Sequence, residues 1–91
     1  LYVIQGRDQG TRHELTPIAP TLTIGRDHGN SIQIHDTEVS RRHAEILLNG
    51  EIVTVTDLGS ANGTWVNSER IERRELKTGD QIQMGRTVLL F

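Results

Sequence analysis

The residues best suited to chemistry lie in one segment, residues 23–46, with the sequence TIGRDHGNSIQIHDTEVSRRHAEI. This segment carries Arg26, Ser40, Arg41 and His43. A guanidinium suits phosphate because its planar fork donates two parallel hydrogen bonds, and a serine hydroxyl adds a short neutral donor. Taken alone, these residue types fit a catalytic cluster, a nucleic-acid patch, a helix start or a receptor for one anion.

A second segment, DLGSANGTWVN at residues 57–67, has the composition of a tight loop. Gly59 and Asn62-Gly63 are typical of turns, because glycine and asparagine tolerate positive φ. The side-chain amides of Asn62 and Asn67 are also suited to binding the backbone of a ligand. The simpler alternative is a turn between two strands with no ligand.

The chemistry of known enzyme motifs does not fit these segments. Ser40, His43 and Asp57 are the residue types of a hydrolase triad, but no G-x-S-x-G surrounds the serine. The sequence GRDHGNS at residues 25–31 lacks the terminal Gly-Lys-Ser/Thr of a phosphate-binding Walker loop. The four histidines do not have the spacing of zinc ligands. We therefore predict a protein that is not an enzyme and has no metal site and no cofactor.

The composition limits the partners of the chain. It has 10 Lys and Arg residues against 12 Asp and Glu residues, a formal net charge of −2. Binding to nucleic acid or to an anionic membrane requires a broad basic surface, so we expect neither partner. An anion site must instead be made by a few well-placed cations.

The length and the cysteine count predict the organisation of the protein. With 91 residues the chain fits one domain, and it starts at Leu1 instead of Met. We expect residues 1–91 to form a single, monomeric domain cut from a longer protein. The chain has no cysteine, and it has no apolar run near the roughly 20 residues that span a bilayer. Both features suit an intracellular protein, and we expect it in the cytoplasm.

Short apolar runs separated by Gly and Pro predict β-strands. Several alternate apolar and polar residues with period two, such as Ile32 with Ile34, which is typical of half-buried strands. Asn49-Gly50 predicts a hairpin with these two residues at the centre of a type I′ turn. The predicted strands cover residues 1–5, 12–16, 21–25, 31–35, 43–49, 51–58, 64–67, 81–85 and 87–91, a pattern of antiparallel sandwiches or barrels.

Residues 39–49, VSRRHAEILLN, also fit a helix. Ser40 is a good N-cap, and Ala44, Leu47 and Leu48 lie roughly on one face of that helix. The run is too short for periodicity to decide. The Asn-Gly turn and the clear strand that follow favour a strand.

Together the segments resemble the forkhead-associated (FHA) domain family. The matching residues are Gly25-Arg26, Ser40-x-x-His43, Asn62-Gly63-Thr64 and Asn67, in the order of the family, and LKTGDQIQMG at residues 76–85 resembles its approach to the final strands. The resemblance implies an all-β sandwich of two largely antiparallel twisted sheets with about eleven short strands. It also implies phosphothreonine recognition in Ser/Thr kinase signalling, without catalysis.

The resemblance assigns a role to each candidate residue. It implies that Arg26, Ser40 and Arg41 contact the phosphate, and that Asn62 holds the peptide backbone beside the phosphothreonine. Asn67 either contacts the peptide or supports the site. Gly25, His43 and Gly63 are implied to be structural, with Gly25 permitting a turn and His43 bracing the binding loops.

Two positions qualify this assignment. Many relatives have a hydroxyl residue before the Asn-Gly pair, where this chain has Ala61. We expect the backbone N–H of Ala61 or the hydroxyl of Ser60 to replace that phosphate contact. Glu38 lies in a loop that the family uses to recognise flanking residues, which suggests a preference for basic residues after the phosphothreonine. The competing hypothesis is a scaffold of the same fold that binds a partner, or its own chain, without phosphate.

Overall fold

The computed structural model describes all residues from Leu1 to Phe91. The chain folds into ten short β-strands. Their bounds are β1 Tyr2–Gln5, β2 Thr21–Gly25, β3 Ile32–Gln33, β4 Ala44–Asn49, β5 Ile52–Asp57, β6 Thr64–Val66, β7 Glu69–Ile71, β8 Arg73–Leu76, β9 Gln81–Met84 and β10 Thr87–Leu90. The structure has no helix with the length and hydrophobicity needed to cross a bilayer.

The strands form two five-stranded sheets packed as a sandwich. The first sheet has the order β1-β10-β9-β6-β7, and the second has the order β3-β2-β4-β5-β8. All pairings are antiparallel except β2 with β3, which is parallel. The predicted fold class, a largely antiparallel β sandwich, is therefore confirmed.

The core follows from the period-two alternation of the strands. In β2, Leu22 and Ile24 point inward, and in β5, Val53 and Val55 do the same. Sixteen buried residues form one apolar cluster between the sheets. Because Ile, Val and Leu residues supply nearly all of it, the few aromatic residues are not needed to hold the sandwich together.

The strand predictions differ from the structure at two places. Residues 12–16 form only an isolated bridge from Arg12 to Tyr2, because this segment leaves the sheet after His13 on its way to Pro17. The sequence analysis missed β7 and β8, in which Ile71 and Leu76 are the only apolar residues. Without residues 12–16 and with β7 and β8, the nine predicted strands become ten, close to the number of about eleven that the resemblance implies.

Residues 39–49 form a strand from Ala44 onward, as the sequence context favours, and not a helix. The hairpin that follows is real, but the predicted I′ turn is wrong. Asn49 still pairs with Ile52, so the two central residues are Gly50 and Glu51. Gly50 has φ of 65° and Glu51 is not in the positive-φ region, a pattern of type II′ turns.

Three loops meet at one end of the sandwich. The register pairs Ile24 near the end of β2 with Ala44 at the start of β4, and Ala44 with Asp57 at the end of β5. The β2–β3 loop (26–31), the β3–β4 loop (34–43) and the β5–β6 loop (58–63) therefore lie side by side. These three loops contain all but one of the predicted ligand-binding side chains.

Candidate functional site

Backbone hydrogen bonds join the β2–β3 and β3–β4 loops into one rigid unit. The N–H of Arg26 donates to the carbonyl of Ser40 at 3.0 Å, and the N–H of Asp27 donates to the carbonyl of Arg41 at 3.2 Å. These bonds continue the pairing of β2 with β4 past the ends of both strands. They place Arg26 beside Ser40, although fourteen positions separate the two residues in the sequence.

Gly25 is required by this close approach of the two loops. A Cβ added to Gly25 would lie 2.1 Å from the carbonyl oxygen of Arg41, a distance that no structure tolerates. Gly25 does not have a positive φ, so the reason expected from the sequence, a turn that only glycine can make, is wrong. The reason for glycine at this position is instead the neighbouring backbone of Arg41.

Arg26 is exposed, but its base is fixed. Its Nε donates a hydrogen bond of 3.0 Å to the carbonyl of Val39, a buried residue of the β3–β4 loop. The Nη atoms make no hydrogen bond or salt bridge within the chain, so the outer edge of the guanidinium faces solvent. This arrangement leaves a pre-oriented fork for an anion.

Ser40, whose carbonyl accepts a hydrogen bond from the N–H of Arg26, has a hydroxyl proton that is not used within the chain. Its Oγ accepts a hydrogen bond of 3.0 Å from the backbone N–H of Ala61, and the hydroxyl makes no other hydrogen bond within the chain. Since the oxygen is the acceptor in this bond, the hydroxyl proton is free to donate to a ligand. The same bond connects the β3–β4 loop to the β5–β6 loop.

The two arginines after Ser40 are both exposed. Arg41 has no side-chain partner in the chain, and its backbone is held through its carbonyl by Asp27 and Asn30. Arg42 instead lines a polar surface pocket with Thr23, Asp27 and His28. The side chain of Arg41 is thus free to make the phosphate contact that the resemblance implies.

His43 is completely buried, and both of its ring nitrogens are engaged. Nδ1 accepts a hydrogen bond of 3.0 Å from the N–H of Ser40, and Nε2 lies 2.8 Å from the carbonyl of Gly63. An amide N–H can only donate and a carbonyl can only accept, so the ring is neutral with its proton on Nε2. His43 therefore links the β3–β4 loop to the β5–β6 loop, which is the bracing geometry expected from the sequence.

A catalytic triad is not assembled. The carboxylate of Asp57 bonds to the β5–β6 loop and not to His43, and the imidazole contacts the backbone of Ser40 and not its hydroxyl. The imidazole cannot take a proton from Ser40 because its one basic nitrogen already accepts the N–H.

Asp57 organises the β5–β6 loop. Its carboxylate accepts hydrogen bonds from the hydroxyls of Ser60 and Thr64 and from the backbone of Gly59 and Ser60. Burial acts to raise the pKa of Asp57, but these hydrogen bonds outweigh burial and hold its pKa below the ordinary value. The sequence analysis considered Asp57 only as a triad member, and missed this role.

The hydroxyl of Ser60 is engaged inside the loop, which argues against the predicted phosphate contact. It donates its one proton to Asp57 at 2.5 Å and accepts from the N–H of Gly63 at 2.9 Å. The N–H of Ala61 is also taken, by Ser40. Neither expected substitute for the missing hydroxyl at position 61 has a free donor in this structure.

Asn62 is exposed at the junction of two loops. Its Nδ2 donates a hydrogen bond of 2.8 Å to the carbonyl of Glu38, and its side-chain oxygen makes no hydrogen bond within the chain. The following Gly63 has φ of 88°, a conformation that favours glycine. This backbone conformation is a physical reason for glycine at position 63.

Asn67 lies at the other end of β6, away from the three loops. Its side-chain amide donates to Asp80 and accepts from the N–H of Gln81, and it forms a turn with Ser68 in which both residues have positive φ. The three residues of β6 span about 10 Å. This geometry fits the supporting role and not a contact with a peptide at the loops.

Asn30 is a positioning residue that the sequence analysis did not single out. Its Nδ2 donates to the carbonyls of both Asp27 and Arg41, at 2.8 and 2.7 Å. It thereby fixes the β2–β3 loop against the residue that follows Ser40. A lone asparagine in a glycine-containing loop is so common in turns that no pattern in the sequence selects it.

Comparisons with known proteins agree with this geometry. The family model of the FHA domain matches residues 22–85. The chain is 44% identical over its full length to an oxoglutarate dehydrogenase inhibitor of Corynebacterium efficiens and 42% identical to the glycogen accumulation regulator GarA of Mycolicibacterium smegmatis. It spans 63% and 56% of those two proteins.

Solved structures give the same result. The FhaA FHA domain complexed with the intracellular domain of Rv3910 superposes with a TM-score of 0.85 at 32% identity, over 94% of this chain and 92% of that one. A structure from a study of phosphothreonine-dependent FHA domain interactions has a TM-score of 0.83 at 30% identity, over 98% and 88%. Since the family model covers residues 22–85, most of the chain, the chain belongs to the FHA domain family.

Proposed function

We propose that this domain binds phosphothreonine-containing segments of partner proteins in Ser/Thr kinase signalling. Arg26, Ser40 and Arg41 hold the phosphate, and Asn62 holds the peptide backbone beside it. Ser60 and Asn67, whose polar atoms are engaged within the chain, support the loops. The family membership, together with the regulator and inhibitor names of the relatives, favours a binding module over an enzyme.

The geometry of Arg26 and Ser40 carries this proposal. Both residues are held from behind, through Nε of the arginine and Oγ of the serine, and both keep donors directed to solvent. A cationic fork beside a neutral hydroxyl is complementary to phosphate, which brings about −1.5 to −2 charges and three strong acceptor oxygens. A neutral threonine side chain offers these donors one hydroxyl oxygen and no charge.

The strength of these contacts is sufficient for a signalling interaction. Hydrogen bonds to charged groups contribute roughly 1.5–3 kcal/mol each, so three give roughly 4.5–9 kcal/mol before desolvation and ordering costs. A micromolar Kd corresponds to about 8 kcal/mol. Phosphate contacts therefore account for most of a micromolar affinity, and an unphosphorylated peptide should bind very weakly.

The test is a titration of the domain with matched threonine, phosphoserine and phosphothreonine peptides. We expect the phosphothreonine peptide to bind most tightly and the threonine peptide to bind scarcely at all. Arg26→Ala should weaken phosphopeptide binding more than tenfold, since one charged contact contributes at least about 1.5 kcal/mol. Arg12→Ala, which removes an exposed arginine far from the three loops, is the matched charge control. Equal binding of threonine and phosphothreonine peptides would overturn the proposal.

The flanking residues of the ligand offer a second test of the site. Glu38 is exposed at the loop that contacts Asn62, which supports a preference for a basic residue after the phosphothreonine. Its carboxylate is also paired with Nε of Arg86 at 3.2 Å, so the preference should be small. An oriented phosphopeptide library that selects no basic residue at any position would contradict this part of the proposal.

The alternative function is a scaffold that binds a partner without phosphate. One relative is named as an inhibitor of oxoglutarate dehydrogenase, which makes that enzyme the first partner to test. A pull-down of the enzyme by the Arg26→Ala variant as efficient as by the unmodified domain would favour the scaffold. We further propose that the domain acts as a monomer in the cytoplasm, which light scattering and cell fractionation would test.

A further inference from the structure

Trp65 and Arg70 form a stacked pair on the outer face of the first sheet. The two residues lie opposite each other on β6 and β7, and their neighbours Thr64 and Val66 point into the core. The guanidinium carbon of Arg70 is 6.0 Å from the centre of the Trp65 ring. Such a cation–π contact restrains a long and otherwise mobile side chain.

The side chain of Arg70 extends along the sheet to the β5–β6 loop. It covers Gly63, where an added Cβ would lie 2.6 Å from Nε of the arginine. Gly63 directly follows Asn62, and adjacent Cα atoms are about 3.8 Å apart. The guanidinium of Arg70 therefore lies within about two residue lengths of the asparagine assigned to the peptide backbone.

The donors of Arg70 have no partner in the chain. Arg70 forms no salt bridge, and the carboxylate of neighbouring Glu69 is paired with Arg74 at 2.8 Å. Arg12 offers a useful contrast, since it stacks on Tyr2 at 5.5 Å but is paired with Glu14 at 3.1 Å. Of these two stacked arginines, only Arg70 is both held in place and left with free donors, and it is the one beside the site.

We propose that Arg70 binds an acidic side chain of the phosphopeptide. An extended peptide advances about 3.3 Å per residue, so a peptide anchored at Arg26 and Asn62 reaches Arg70 two to four residues from the phosphothreonine. There the guanidinium fork meets a carboxylate, and the domain prefers ligands with Asp or Glu at that position. This inference rests on the proposed phosphothreonine binding and adds a charge preference opposite to that of Glu38, at a different ligand position.

The test uses fluorescence anisotropy with labelled phosphothreonine peptides in an alanine background. Asp and Asn are compared at each of the four positions on either side of the phosphothreonine. We expect the Asp peptide to bind about two- to fivefold more tightly at one or two adjacent positions, the range of an exposed ion pair. Arg70→Met keeps the stem over Trp65 but removes the charge, and it should abolish this preference. Arg12→Met, the matched stacked arginine at the far end of the sheet, should retain it.

The outcomes separate this inference from the proposed function. An Asp preference that persists in Arg70→Met, or that is absent at every position in the unmodified domain, would overturn the role of Arg70. In that case the alanine-background phosphopeptide still binds and its phosphate dependence is unchanged. Loss of phosphate dependence itself would overturn the proposed function and, with it, this inference. Because Arg70 stacks on Trp65, the native fold of Arg70→Met is checked by thermal denaturation followed by circular dichroism and not by tryptophan emission.

Discussion

The loop end of the sandwich contains two groups of polar residues that differ in what they leave free. Arg26 and Ser40 are anchored from behind and direct unused donors to solvent. His43 and Ser60 have their polar side-chain atoms engaged by other parts of the loops. We call Arg26, Ser40 and Arg41 the receptor group, and His43, Asp57 and Ser60 the brace group.

This difference separates binding from positioning. Removing a residue with free donors should lower the affinity of the domain for its ligand. Removing a residue whose partners all lie within the chain should lower the stability of the domain, because polar groups are left unpaired. Substitutions in the two groups should therefore affect two different measurements. A substitution that lowers both the phosphopeptide affinity and the stability of the domain would contradict this separation of the two groups.

The largest expected effect is that of His43→Ala in the brace group. The substitution empties a fully buried site and leaves the N–H of Ser40 and the carbonyl of Gly63 without partners. We expect the free energy of unfolding to fall by about 3 kcal/mol or more. For a domain of this size, thermal denaturation should show a Tm at least about 12 °C lower.

The control for this experiment is His28→Ala, which changes an exposed histidine in the β2–β3 loop. Its Tm should remain near that of the unmodified domain. A His43→Ala protein with an unchanged Tm but a weakened phosphopeptide affinity would move His43 from the brace group to the receptor group.

The second test compares alanine substitutions of two serines, one from each group. Ser40→Ala removes a free donor, so we expect about tenfold weaker phosphopeptide binding and a small change in Tm, since the freed N–H of exposed Ala61 can bond to water. Ser60→Ala removes a donor to Asp57 and an acceptor for Gly63, so it should cost about 1–3 kcal/mol of stability. Calorimetry and peptide titration of both variants measure the two effects.

If Ser60→Ala has normal stability but binds phosphopeptide tenfold more weakly, this result would support the phosphate contact that the sequence predicts for Ser60. Residue type does not separate these two serines. Both serines lie in loops, and they differ in their hydrogen bonds: the hydroxyl of Ser60 donates to Asp57, whereas that of Ser40 only accepts. The direction of the Ser60 hydroxyl depends on Asp57, which lies three positions before Ser60 in the chain and contacts it only once the β5–β6 loop has folded.

Features that arise only from contacts in the folded chain are those that the sequence does not predict. Alternation with period two identifies β2 and β5 because each strand has two buried apolar residues two positions apart. It fails for β7 and β8, whose charged residues pair with neighbouring strands through the backbone. The resemblance selects Arg26 and Ser40, but Asn30 and Arg70 acquire their positions from contacts between loops and strands that no local pattern encodes.

The smallest expected effect concerns the charge of Asp57. Its pKa in the folded protein is lowered, because hydrogen bonds from Ser60 and Thr64 outweigh the effect of burial. A carboxyl group with a lowered folded pKa stabilises the fold above its unfolded pKa, and that contribution is lost as the pH falls through the folded pKa. The domain should therefore lose stability below about pH 4, near the ordinary aspartate value of 3.8.

Asp57→Asn should make the acid dependence shallower. The change in slope is at most about 1.4 kcal/mol per pH unit, the contribution of one proton. Part of the acid dependence must remain, because the pKa values of Asp36 and Asp80 are also lowered. Urea denaturation between pH 7 and pH 2 measures this slope, and Asp27→Asn, an exposed aspartate of the β2–β3 loop, is the control. Equal slopes for Asp57→Asn and the unmodified domain would mean that the charge of Asp57 does not contribute to the stability of the fold, which would contradict this prediction.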